Sequence, residues 1–339
     1  YSAQTGQIAT DFALTIPFHY LDDALKIGSE VFYQSLFPEQ AFERERQAII
    51  QEINQRINSS WYPKVEFFKK IRYVPGHPLI PDGGGDAGAI ASLQREEVVS
   101  YYQKYFVPGN TYLGVFGDFS EKQLRDLVEK YFGHFPAKEI PSLPEMTPFG
   151  LSQRTVAIRQ DQKLQSNGFD FSFPTTSLSD PLSVRTAQFL ATQVLGSLGT
   201  SRLMTKLRYQ KGYVYSVSSG NSRFPHFGYN YVSTETITSH LDETIKIVVD
   251  EIFEMKKNGL TGNELSRVKK YMEDIRSMLF DTPQKISDWF MDELLWQDKI
   301  RLLEEYDKIS NAISSKDVVD SLQKYWDFSK LNLTIQGPI

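Results

Sequence analysis

Apolar residues recur at helical spacing through three long stretches of the chain. Phe42, Ile49, Ile50, Ile53 and Ile57 form the stripe of a helix predicted over 40–58, with Pro38 where a helix start tolerates it. The same periodicity predicts helices over 241–257, opened by Asp242 and Glu243, and over 263–279. Strand patterns occupy shorter runs. Thr155 to Ile158, Gly168 to Phe173 and Tyr229 to Thr234 alternate or are rich in β-formers, and 110–116 and 330–336 read as closing strands. Strand, helices and strand in that order predict an α+β class, a mostly antiparallel sheet with helices packed on one face.

The pattern occurs twice. Val98 to Phe106 reads like Val318 to Trp326, and Leu113 to Gly117 lies over Leu333 to Gly337, both at an offset of 220 positions. Leu21 to Ile27 lies over Leu241 to Ile247 at that same offset. Two long copies of one pattern describe a duplicated domain, not a solenoid. Pro136, Pro141, Pro144 and Pro148 punctuate the stretch between the copies, as in an extended linker. The expected organisation is two homologous domains, at 1–136 and 152–339, with a Pro-rich linker at 137–151. The opening of the second copy, roughly 152–220, has no counterpart in the first. By the repeat, the first domain is expected to lack about seventy residues that precede Tyr1.

Composition narrows the chemistry. With 37 basic against 42 acidic residues the net charge is −5, and no basic tract suits a nucleic-acid partner. No run approaches the ~18 apolar residues of a membrane span. The first residues lack a signal-peptide pattern and an initiator Met, so the natural start is expected upstream; the compartment stays open. Cysteine is absent, which removes disulfides, thiolate metal sites and cysteine nucleophiles. A metal site must therefore use histidine and carboxylate, and none of the five histidines pairs with another at ligand spacing. His77, in Pro75 to Leu79, reads as a structural loop residue.

Two clusters remain. On the helix at 40–58, Glu45 and Glu52 are seven residues apart and project from one side, flanking the apolar stripe. A solvated flank with Arg44, Arg46 and Arg56 is one reading. In the second copy, aligned with Phe42 over Leu265, these positions hold Val268 and Ile275, so only the first copy has the acidic pair. In the second cluster, a run with two glycines, Gly196 to Leu203, precedes Leu207-Arg208-Tyr209-Gln210-Lys211-Gly212-Tyr213-Val214-Tyr215-Ser216. Arg208 as a helix-end charge and Tyr215 as a strand aromatic is the plain alternative there.

Glu45 to Glu52 resembles the Glu-Arg-x-x-x-x-x-Glu helix of the pitrilysin and mitochondrial-processing-peptidase family of zinc peptidases. Leu207 to Ser216 resembles that family's Leu-Arg-x-x-x-Gly-x-x-Tyr-Ser segment. The resemblance covers essentially the whole chain. It implies zinc as cofactor, Glu52 as the third protein ligand and Glu45 as a carboxylate orienting the site. It implies Arg208 and Tyr215 as catalytic residues that bind substrate backbone and polarise the scissile carbonyl. The family's His-x-x-Glu-His motif, which supplies two ligands and the general base, occurs nowhere in this chain. Its spacing would place it about two dozen residues before Tyr1.

The implied function is a zinc-dependent metalloendopeptidase that processes peptides or degrades oligopeptides. Its partners would be unfolded peptides and, in a dimer, a second copy or a related subunit. The chain by itself is expected to be inactive. The alternative is a non-catalytic partner or scaffold subunit that supplies the Arg208 and Tyr215 element to another chain.

Overall fold

The computed structural model describes residues 1–6, 9–59, 61–80, 84–136, 138–140, 153–296 and 300–339. Of the expected linker, residue 137 and residues 141–151 lie outside the described residues, as does residue 152. Two compact units divide the chain. One gathers Tyr1–Tyr62, Pro81–Glu145 and Asp281–Met291; the other gathers Pro63–Ile80, Met146–Phe280 and Asp292–Ile339.

Helices open with α1 (Leu21–Tyr33), α2 (Glu39–Ile57), α3 (Tyr62–Arg72), α4 (Ala87–Ser92), α5 (Arg95–Tyr105) and α6 (Glu121–Phe132), after the antiparallel strands β1 (Ser2–Thr5) and β2 (Thr10–Ala13). Strands β3 (Thr155–Gln160) and β4 (Asn167–Pro174) then precede α7 (Leu182–Thr192). The hairpin β5 (Val214–Arg223) and β6 (Gly228–Thr236) leads to α8 (Leu241–Asn258) and α9 (Gly262–Ser277). The chain ends with α10 (Pro283–Trp296), α11 (Leu303–Ala312), α12 (Ser315–Tyr325) and β7 (Asn332–Gly337).

In the first unit α1 packs beside α6. Asp22 accepts from Lys130 Nζ and Tyr131 Oη, each at 3.0 Å. Arg46 of α2 reaches the carbonyl of Leu93 beyond α4 at 2.7 Å and lies over the Phe42 ring. Ile53 is the one α2 residue buried among those described, at 2% exposure.

The second unit is built on one sheet in the order β3-β7-β4-β6-β5. β3 runs parallel to β7, and every other pairing is antiparallel. Alternation along β4 assigns the faces. Phe169, Phe171 and Phe173 are fully buried in one core with residues of α7, α8, α9 and α12. Asp170 and Ser172 point to the opposite face. There α3 adds a layer that the sequence did not suggest: Arg72 meets Asp170 at 2.6 Å, and the carbonyl of Ile71 accepts from Asn332.

Several elements fall at the same offset of 220 residues. Short 3₁₀ turns at Phe18–Tyr20 and Thr238–His240 lead into α1 and α8. Helices α5 and α12 share the offset of 220, and so do the 3₁₀ turns Pro108–Asn110 and Phe328–Lys330 that follow them. One expectation fails. Residues 111–116, read as a closing strand, form no strand, whereas their counterpart β7 does. A strand exists only where a neighbour takes its N–H and C=O groups. β7 lies between β3 and β4, and no strand pairs with 111–116 among the described residues.

Candidate functional site

The Arg208 and Tyr215 element is assembled by three local irregularities. α7 runs into a π-helical turn, Gln193–Ser197, and Arg208 sits in a second one, Met204–Gln210. A π turn widens the helix and re-aims its side chains. Gly196 lets the first turn approach β5, since a Cβ there would come within 3.0 Å of Ser219 Oγ. Gly212, at φ 68°, then reverses the chain in a conformation that disfavours other residues.

The third irregularity is a β-bulge. Val214 stands opposite Thr236 and Val217 opposite Thr234, so Tyr215 and Ser216 share the place facing Glu235. A bulge turns a side chain out of the regular alternation, and Tyr215 is 83% exposed. Three carbonyls around it are engaged. Thr236 Oγ1 donates to Tyr213 at 2.8 Å, Thr234 Oγ1 to Ser216, and an Arg208 guanidinium N–H to Tyr215. The Arg208 guanidinium also lies 4.3 Å from the Tyr215 ring centroid. The predicted pair is thus brought together twice, through the ring and through the backbone.

Beside the pair, Tyr213 stacks on His240 at 4.1 Å and donates its hydroxyl to Glu243 at 2.7 Å. Lys211 donates to the same carboxylate at 2.8 Å. The hydrogen bonds from Lys211 and Tyr213 hold the Glu243 carboxyl below its ordinary range, and that from Glu243 pushes the Tyr213 phenol up. Arg208, Tyr209, Gly212, Tyr213, Val214 and Tyr215 line a shallow, open concavity of about 640 Å³. Such a surface offers a guanidinium with donors to spare and phenol groups to a carbonyl-rich ligand. Sequence reasoning missed Tyr209, Tyr213 and Glu243; the close spacing of Tyr209, Tyr213 and Tyr215 was the available signal for the first two.

The carboxylates on α2 behave differently. Glu45 is 64% exposed and pairs with its neighbour Arg44 at 3.2 Å. Glu52 is exposed, and its carboxylate makes no ion pair or hydrogen bond to another described residue. At the matching positions of α9, Val268 is fully buried and Ile275 is 37% exposed. Among the described residues, no group of three or more His, Asp or Glu side chains could hold a metal ion. The described residues therefore do not form a zinc site among themselves. His77 is buried, accepts the Leu79 N–H through Nδ1 at 3.1 Å and stacks on Tyr73, a packing role. No helix among the described residues is long and apolar enough to cross a membrane.

Comparison with known proteins agrees with this architecture. The chain is 25% identical over 322 residues to an uncharacterized zinc protease, YmxG, of Bacillus subtilis, covering 94% of this chain and 76% of that one. It is 25% identical over 260 residues to an insulin-degrading enzyme homolog of Dictyostelium discoideum, covering 74% of this chain and only 26% of that longer protein. Its fold matches the crystal structure of a peptidase M16 inactive domain from Pseudomonas fluorescens with a TM-score of 0.84 at 20% identity, over 95% of this chain and 76% of the other. Residues 92–272, more than half of the chain, match the family described as the peptidase M16 inactive domain, and the chain belongs to that family.

Proposed function

We propose that this chain carries the peptide-handling surface of a zinc-dependent metalloendopeptidase that acts on unfolded peptides or oligopeptides. The Arg208 and Tyr215 pair carries the reading. A guanidinium fixed by the Tyr215 carbonyl and ring keeps further N–H donors for a peptide carbonyl, and the exposed phenol adds another donor beside it. Preorganised donors of this kind stabilise negative charge that develops on a carbonyl oxygen. In the same reading Glu52 is a metal-ligand carboxylate and Glu45 the carboxylate that orients it. The described residues of this chain do not by themselves complete that metal site. The arrangement is read as two homologous domains joined by the Pro-rich linker, in a protein that works as a homodimer or with a related subunit.

A second reading, a non-catalytic partner or scaffold subunit, is supported by the description of the matched family as an inactive domain. Both readings require Arg208 and Tyr215 to engage peptide. Fluorescence anisotropy with a labelled unfolded peptide tests that: Arg208→Ala and Tyr215→Phe should each weaken binding about tenfold, near 1.4 kcal/mol. Unchanged affinity in both variants would remove the common basis. Zinc-dependent cleavage of the peptide by the full-length protein would favour the first reading, and binding without cleavage by that protein the second.

A further inference from the structure

The sheet of the second unit ends at β3, which has β7 on one side and no strand on the other among the described residues. Its backbone polarity is set by β7. Thr155 N–H donates to Leu331 and Asp161 N–H to Gly337, both at 2.8 Å. In a parallel ladder alternate residues turn their N–H and C=O groups to the same neighbour. Thr155, Ala157 and Arg159 therefore point theirs at β7, and Val156 and Ile158 point theirs at the open edge.

Those two residues also leave their side chains uncovered. Val156 and Ile158 stand level with Leu333 and Ile335, and these with Phe171 and Phe169, so they extend the apolar rows that lie beneath the helices. Leu333 and Ile335 are 9% and 6% exposed; Val156 and Ile158 are 57% and 60% exposed. An edge with free backbone groups and uncovered β-branched side chains is a template for another strand.

We propose that a second copy of this chain pairs β3 antiparallel with β3, about a twofold axis through Ala157. A twofold perpendicular to the sheet keeps each side chain on its own face, so the axis must pass through a residue. Centred on Ala157, Val156 meets Ile158 of the second copy on both sides of the axis, which covers all four apolar side chains. Thr155 then faces Arg159 and Arg154 faces Gln160, so no like charges are opposed. An axis at Val156 would set Arg154 against Ile158, and one at Ile158 would set Val156 against Gln160. The backbone agrees with the same centre. Val156 and Ile158 supply the hydrogen-bonded pairs, and Ala157, whose groups are taken by β7, supplies the non-bonded pair on the axis. The interface rests on the homodimer in the reading above, whereas the peptide contacts of Arg208 and Tyr215 do not depend on it, so either can fail alone.

The chain has no cysteine, so one introduced thiol reports the register. Ala157→Cys places two thiols across the axis at a Cβ separation of about 4.5–5.5 Å, close to what a disulfide spans. Thr155→Cys places them about 14 Å apart, out of reach. Mild oxidation should give about tenfold more covalent dimer from A157C than from T155C. Sedimentation velocity should show a concentration-dependent dimer of the unmodified chain that Ile158→Lys converts to monomer. Circular dichroism checks folding, with Val156→Lys as the second variant should Ile158→Lys unfold. A chain that stays monomeric at its highest soluble concentration overturns the proposal. Equal cross-linking from both thiols, or a dimer that survives both lysine variants, overturns it as well.

Discussion

Positions related by 220 residues carry matching sequence and unequal burial. On α12, Val318, Leu322 and Trp326 are fully buried, whereas their counterparts Val98, Tyr102 and Phe106, on and just after α5, are only half-buried. Ile252 of α8 is fully buried and Phe32 of α1 half-buried. Leu333 is 9% exposed in β7, and Leu113 is 47% exposed in the irregular segment at the same offset. Each unit has helices with an apolar stripe. Only the second sets them on a five-stranded sheet; the described residues of the first hold a two-stranded one. A hydrophobic period writes the helix, but burial is decided by the layer it meets.

Replacing one matched pair of aromatics, Trp326 and Phe106, tests this directly. Trp326 is fully buried and stacks on Phe173 at 5.5 Å. Trp326→Ala should cost about 3–5 kcal/mol in urea unfolding, and Phe106→Ala roughly 1–2 kcal/mol. Equal losses would break the contrast between the units.

The first unit still has fixed points, and α2 supplies one. Ile53 is 2% exposed and Ile57, one turn further, is 46% exposed. Ile53→Ala is expected to cost about 2–4 kcal/mol and Ile57→Ala under about 0.5 kcal/mol, by thermal or urea unfolding. At the position of Ile53, α9 places Arg276, buried against Asp307. One of the two aligned positions is thus filled by an apolar side chain and the other by an ion pair.

These particulars mark how far the sequence could be read. The helices over 40–58 and 241–257 were legible to within a residue, because a stripe and its end signals are local. The strands at 155–158, 168–173 and 229–234 were legible as short β-rich runs. Residues 111–116 look like β7 in sequence but form no strand, since pairing depends on neighbours that periodicity does not report. The site divides the same way. Arg208 and Tyr215 were marked by their residue types and spacing. The bulge that exposes Tyr215 exists only in the register between β5 and β6, and the π turn under Arg208 has no compositional signature. The docking of α3 on the polar face of the sheet was equally invisible, since Arg72 and Asp170 are 98 residues apart.

The starts of α9 and α2 differ in capping, Thr261 with Glu264 against Pro38 with no side-chain cap, and pH should reveal it. Burial pushes the Glu264 carboxyl up, but hydrogen bonds from Arg202 and Thr261 more than reverse this and bring it to about 2. Both Arg202 N–H donors lie 2.7 Å from the carboxylate. A depressed carboxyl gives its stabilisation above the ordinary value of 4.5 and loses it as pH falls towards 2. Glu264→Gln should therefore cost about 2 kcal/mol at neutral pH and very little near pH 2. In α2 the matching positions are Pro38 and Ala41, which cannot titrate. A constant deficit across the pH range would show that the Arg202 pair does not hold α9.

The smallest expected effect is also the sharpest test of the comparison. Tyr101 on α5 is 60% exposed, touching Tyr105 at 4.5 Å between ring centroids, where α12 has Ser321 at 5% exposure. Tyr101→Ser writes the second copy's residue into the first and removes side-chain surface that water already covers. Stability should stay within about 0.5 kcal/mol of the unmodified chain. The reverse exchange, Ser321→Tyr, puts a ring where close packing leaves no room and should lower the unfolding midpoint clearly. If Tyr101→Ser destabilises as much as Ser321→Tyr, the α5 face is covered in solution, and the difference in burial between the units does not describe the folded protein.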